Sequence, residues 1–150
     1  MLKGIPPIIS PELMKVLLEM GHGDELVLAD GNFPAASLGP KIIRADGHGI
    51  PELLEAILKF FPLDTYADAN VFLMAPSSAE TPSIWRRYEE ILRSSGEPFK
   101  ITKLDRSQFY ERAKRAYAIV ATSEPILYAN IVMKKGVITK GMANSMTCIS

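Results

Sequence analysis

The sequence predicts an α/β fold, a single domain with a central, mostly parallel sheet flanked by helices. Three observations lead there. The chain has 150 residues, the usual size of one domain, and 47% of them are hydrophobic, enough for a sizeable core. Apolar stripes at helical spacing alternate with short apolar runs along nearly the whole chain. Several of the helical stretches also open on a capping signal.

The elements follow in order. Ser10-Pro11-Glu12 is a helix start, with Ser as N-cap, Pro at the first helical position and an acid in the first turn. Leu13, Val16, Leu17 and Met20 then form one stripe. Gly21 is suited to end that helix in the left-handed conformation, so that His22 follows a helix terminus directly. ELVLAD (25–30) reads as a buried strand with Asp30 at its carboxyl end, and GPKIIRADG (39–47) as a short strand running into a turn. Pro51 opens a second helix, with Leu54, Ile57, Leu58 and Phe61 on one face. ANVFLMAP (69–76) is a strand, and Thr81-Pro82 starts a third helix striped by Ile84, Tyr88, Ile91 and Leu92. FKITKL (99–104) alternates as a strand does; Asp105 and Gln108 make a capping-box pattern for a helix through Tyr117. AIVAT (118–122) and ANIVMKKGV (129–137) are the last two strands. Ligands of open α/β sheets collect at the carboxyl ends of strands. Asp30 is placed there, and Tyr128 with Asn130 lies at the mouth of the final strand.

Bulk properties narrow the function. The 17 basic and 17 acidic side chains cancel, which argues against nucleic acid or an anionic membrane as partner. No apolar run approaches the ~20 residues of a membrane span, and the N-terminus lacks a secretory apolar region. The one cysteine, Cys148, cannot form an internal disulfide, and no zinc-type Cys/His cluster exists. A cytoplasmic protein is expected. The sequence has no phosphate-binding loop, no G-x-G-x-x-G, no HExxH and no G-x-S-x-G. An enzyme built this way is expected to use side-chain acid–base chemistry, with no metal, no cofactor and no covalent nucleophile.

His22, between two glycines, is the main candidate. An imidazole titrates near ~6.5 and both gives and takes protons at neutral pH. The other reading is a solvent-exposed loop histidine. His48 shares the Gly-His-Gly pattern and reads as part of a surface turn. Asp30 either caps the turn at Asn32 or binds a ligand hydroxyl. Asp64 reads as an N-cap or turn residue. Arg106 and Tyr110 share a helix face, where the arginine pairs with an acid and the tyrosine packs in the core, or both meet a ligand. Arg44 and Asp46 read as a surface ion pair.

The segments ISPELMKVLLEMGHGDELVLADGNFPA, IRADG, FPLDTYA, FYERAKRAYAIVAT and YANIVMKKGV, in this order, resemble the L-fucose mutarotase and D-ribose pyranase family. The resemblance runs over residues 1–137 as a sugar mutarotase domain. The tail, 138–150, has no counterpart and no assigned role. The resemblance implies a ribose pyranase-like fold and a cofactor-independent isomerase that interconverts cyclic forms of free monosaccharides. It implies a homo-oligomer too, a decameric ring in bacterial members. The family's catalytic histidine falls on His22 and its sugar-binding aspartate on Asp30. The fucose branch adds an aspartate at Asp64 and a tyrosine at Tyr110, and ligand contacts fall on Met74, Arg106, Tyr128 and Asn130. The glycines would let the His22 imidazole lie against a sugar ring, with Asp30 across it.

HGDE (22–25), the FP turn (33–34) and Arg106 point to the L-fucose branch. YAN (128–130) is the ribose-branch form, the fucose branch usually reading Tyr-Gly-Asn, and the methyl of Ala129 is expected to reshape the pocket. L-fucose anomer exchange is therefore the first reading. The alternatives are a D-ribose pyranase and a monosaccharide-binding protein without turnover.

Overall fold

A computed structural model describes residues 1–39 and 41–142. The chain runs α1 (Pro11–Glu19), β1 (Glu25–Ala29), α2 (Ala35–Leu38), β2 (Ile42–Ala45), α3 (Ile50–Ile57), β3 (Val71–Met74), α4 (Ile84–Ser95), β4 (Ile101–Leu104), α5 (Arg106–Arg115), β5 (Ala118–Thr122) and β6 (Ile131–Lys134). The strands form one sheet in the order β2-β5-β1-β6-β3-β4. β6 runs antiparallel to its neighbours β1 and β3, and the other neighbouring pairs are parallel. The reversal follows from chain length. A parallel return needs a crossover of about a dozen residues or more. The link from β5 to β6 is only residues 123–130. It therefore crosses over the carboxyl end of β1 and enters β6 from that same end.

Alternation along β1 builds a core on each face. Leu26 and Leu28 pack with buried residues of α1, α3 and α4, while Val27 and Ala29 pack with α2 and α5. The predicted stripes are the buried ones: Leu13, Val16 and Leu17 on α1, and Ile84, Tyr88, Ile91 and Leu92 on α4. Ser10 caps α1 by accepting the Leu13 N–H at 3.1 Å. The capping box forms at α5, where Asp105 accepts the Gln108 N–H at 2.8 Å and Gln108 accepts the Asp105 N–H at 3.0 Å.

Two expectations change and one element is new. Gly21 does not end α1 in the left-handed region. Met20 leaves the helix in an extended conformation and is buried, and the positive φ, 88°, falls two residues later at Gly23. α4 begins at Ile84, beyond Thr81-Pro82, and α2, a single turn after Pro34, is an element that apolar periodicity is too short to reveal. Cys148 and the end of the tail lie outside the described residues.

Candidate active site

The cleft at the carboxyl ends of the strands has a volume of about 240 Å³ and is lined by Asp30, Asn32, Phe33, Met74, Arg106, Tyr110, Leu127, Tyr128 and Asn130. That is below the ~300–1,000 Å³ of pockets for drug-sized ligands and leaves room for one small molecule. Each wall comes from the topology. Asp30 follows β1, Met74 ends β3, Arg106 starts α5 just after β4, and Asn130 precedes the reversed β6.

Asp30 and Asn130 lock this cleft. The Asp30 N–H donates to Asn130 Oδ1 at 2.7 Å, and Asn130 Nδ2 donates to Asp30 Oδ2 at 3.2 Å. Asp30 Oδ1 also accepts the Asn32 N–H at 2.9 Å. The carboxylate that caps the turn at Asn32 thus also lines the cleft. Burial pushes the Asp30 carboxyl above its ordinary value, against the N–H groups of Asn32 and Phe33 and the Asn130 amide; the charge of Glu124 adds to the rise. Arg106 is exposed at the first position of α5, where the helix dipole disfavours a cation. Its guanidinium lies 5.2 Å from the centre of the Tyr110 ring, and Phe33 meets that ring edge-on at 5.2 Å. Tyr128 has φ 59°, the left-handed region, rare for a non-glycine residue. Trp85 donates to its carbonyl at 3.3 Å, and the Tyr88 hydroxyl donates to the Ala129 carbonyl at 2.6 Å.

His22 and Asp64 are absent from this cleft. They meet each other at the opposite end of the sheet. His22 stands in the turn before β1, Asp30 just after it, and five strand residues at ~3.3 Å each hold them roughly 17 Å apart. Within one chain, Asp30 does not lie across from the imidazole. His22 Nε2 is 3.0 Å from Asp64 Oδ1, which also accepts the Tyr66 N–H at 3.0 Å. Asp64 is 4% exposed. Burial acts to raise its carboxyl, but the Tyr66 N–H, the His22 imidazole and the Lys134 ammonium together hold it below the ordinary value. An ionised carboxylate only accepts, so Nε2 carries the hydrogen and Nδ1 is the ring nitrogen left to take a proton in the neutral imidazole or to give one in the cation. The Asp64 backbone is fixed too: its N–H donates to the Lys134 carbonyl at 3.0 Å, and its own carbonyl accepts from Asn70 Nδ2 at 3.0 Å. Tyr66, 75% exposed, lies against the imidazole with ring centres 5.5 Å apart.

No sequence signal marks Phe33, Leu127, Tyr66 or Trp85 as site residues. Phe33 sits in the noted FP turn, and Tyr88, on the α4 stripe, is buried as the stripe predicts. Leu127 and Tyr66 belong to irregular loops without periodicity, so no pattern marks them. Arg44 and Asp46 do form the expected surface pair, at 2.6 Å. Among the described residues no three His, Cys, Asp or Glu side chains are grouped as metal ligands, and no helix is long and apolar enough to cross a membrane.

A family model described as the RbsD / FucU transport protein family matches residues 3–138. Fucose mutarotase of Homo sapiens is 54% identical over 146 residues, covering 91% of this chain and 94% of that protein. L-fucose mutarotase of Actinobacillus pleuropneumoniae serotype 5b (strain L20) is 51% identical over 140 residues, covering 91% and 97%. Among solved structures, the fucose mutarotase of Streptococcus pneumoniae in complex with L-fucose superposes with a TM-score of 0.89 at 54% identity, over 92% of this chain and all of that one.

Proposed function

The chain belongs to the RbsD / FucU family, and from that premise we propose that it is a mutarotase interconverting the α and β anomers of L-fucose. The observation that carries the reading is the Asp30–Asn130 pair set in a single-sugar cleft with Met74, Arg106, Tyr110 and Tyr128. Residues 1–137 are the working domain, with the 138–150 tail outside it. We place the protein in the cytoplasm, where its one cysteine, Cys148, needs no disulfide partner.

The reaction is acid–base chemistry. A base takes the proton of the anomeric hydroxyl while an acid protonates the ring oxygen. The bond from C1 to the ring oxygen breaks, and C1 becomes the aldehyde carbon. After rotation about C1–C2, the freed hydroxyl adds to the other face of the carbonyl, returning both protons. No cofactor is needed. Asp30, Arg106 and Asn130 hold sugar hydroxyls, while Met74 and the Tyr128 ring cover an apolar face that suits a methyl group. His22 is the proton donor, Asp64 holds its ring and tautomer, and Tyr110 is the partner group on the cleft side.

These roles need both ends of the sheet at one sugar. A single chain keeps them roughly 17 Å apart, so the site closes when His22 and Asp64 of a second copy meet the Asp30 cleft of the first. The working form is then a homo-oligomer, and a ring such as a decamer supplies every cleft with a neighbouring pair. Saturation-transfer NMR tests the reaction: magnetisation passes between anomers of L-fucose, faster than between forms of D-ribose. Binding without transfer would reduce the protein to a sugar-binding module, and faster exchange with ribose would make it a pyranase.

A further inference from the structure

Outside the groups that face the sugar, one buried acid is tied to most of the cleft's supports. Glu124 is 6% exposed, unusual for a glutamate. Both carboxylate oxygens are filled by backbone donors: Oε1 accepts the N–H of Ile50, the first residue of α3, at 3.0 Å, and Oε2 accepts the N–H of Ile126 at 3.2 Å. Its carbonyl accepts the Gly31 N–H at 2.9 Å, next to Asp30. Its own N–H donates to Thr122 Oγ1 at 3.1 Å, and that hydroxyl donates to the Ala29 carbonyl at 2.7 Å. The ends of β1 and β5, the start of α3 and the 123–130 link meet at this one residue.

The link needs such an anchor. It has no regular structure, Ile126 and Leu127 are 44% and 65% exposed, and it delivers Leu127, Tyr128 and Asn130 to the cleft. Trp85 and Tyr88 hold its far end. Tyr128 sits at a positive φ that costs free energy, and such a residue keeps its conformation only when the structure around it over-determines it. The second Gly-His-Gly, residues 47–49, serves the same anchor. Gly47 turns the chain at φ 85° and donates to Ser123 Oγ at 2.7 Å, and the His48 carbonyl accepts the Ser123 N–H at 3.0 Å. Gly49 has an ordinary extended backbone, but a Cβ there would stand 3.1 Å from Glu124 Oε1. Its hydrogen leaves room for the carboxylate.

We propose that Glu124 is a positioning residue for sugar binding: its carboxylate pins Ile126 to the α3 N-terminus and so holds Leu127 and Tyr128 in place at the cleft. The proposal rests on the reading that this cleft binds L-fucose. It is tested with Glu124→Gln, Gly49→Ala and His48→Ala in the full chain, well below each variant's melting temperature. Gln keeps one carbonyl oxygen and turns an amide toward the second N–H, so KM for L-fucose rises roughly fivefold with kcat little changed. Gly49→Ala keeps the charge but displaces it by a few tenths of an ångström, and raises KM about twofold. His48→Ala leaves both constants as they are. Calorimetric affinity for L-fucose gives the same comparison even if the unmutated chain binds without exchanging anomers, a result that breaks the mutarotase reading and not this one. Lowered melting temperature with unchanged KM and affinity in both Glu124→Gln and Gly49→Ala makes Glu124 a purely structural residue and overturns the proposal. So does a fall in kcat alone. If Glu124→Gln does not fold, Gly49→Ala measured against His48→Ala decides.

Discussion

The two ends of the central sheet hold aspartates of opposite character. Asp30 is enclosed by the 31–33 turn and Asn130, and burial wins, raising its carboxyl. Asp64 is as little exposed but lies nearer the protein surface, and there the Tyr66 N–H, His22 and Lys134 together outweigh burial and lower it. The first environment suits a group that grips neutral hydroxyls. The second suits a permanently ionised carboxylate that orients an imidazole. Residue type alone does not assign a role. The proposed roles, binding for Asp30 and orienting the imidazole for Asp64, match surroundings that differ in depth and in donors, and β1 keeps the two environments from merging.

The largest effect expected is from His22→Ala. It removes about 10²–10⁴-fold of anomer exchange, the usual yield of one acid–base group, while calorimetry finds L-fucose affinity changed far less. Asp30→Ala loses affinity instead. Co-assembled, the two inactive variants recover part of the exchange rate, because some sites then pair an intact cleft with an intact imidazole. No recovery in a mixed oligomer would mean that the two ends do not serve one site across copies.

Next comes Arg106→His, which sharpens the binding end. It replaces a fork of five donors by at most two, and L-fucose affinity falls roughly tenfold. Ala129→Gly changes it much less, since Ala129 is fully buried in the main core and its methyl does not line the cleft. Rates of all three chains on L-fucose and D-ribose check this; a ribose preference created by Ala129→Gly would return specificity to the backbone turn.

The smallest effects separate the two aspartates by pH. Asp30 is raised, so the folded chain takes up its proton above the ordinary value of 3.8. Its ionisation disfavours the fold at neutral pH, a cost relieved as pH falls through the folded value. Sugar affinity declines in that same window, above pH 3.8. Asp64 is lowered, so its contribution to stability is present above 3.8 and is lost as pH falls through its folded value, below 3.8. Affinity therefore fails before the Asp64 contribution to stability does. Affinity holding down to pH 3.8, by calorimetry beside denaturant melts, would show that the two carboxylates are not distinguished as described.

By itself the sequence determined the α/β class, the helix stripes, the capping at Ser10 and Asp105, and the placement of Asp30 and Asn130 at strand ends. These are local properties: periodicity, caps and strand length act over a few residues and need no distant partner. Recognisable segments around His22, Asp64, Tyr110 and Tyr128 marked the reaction. Which of those residues share a space is set by the folded chain. The Asp30–Asn130 bonds join positions 100 residues apart, His22 and Asp64 meet across 42, and Glu124 reaches Ile50 across 74. No periodicity encodes such pairings. They follow from the short 123–130 link, which reverses β6 and brings its start to the carboxyl end of β1, and from the length of β1, which holds the imidazole at the other end.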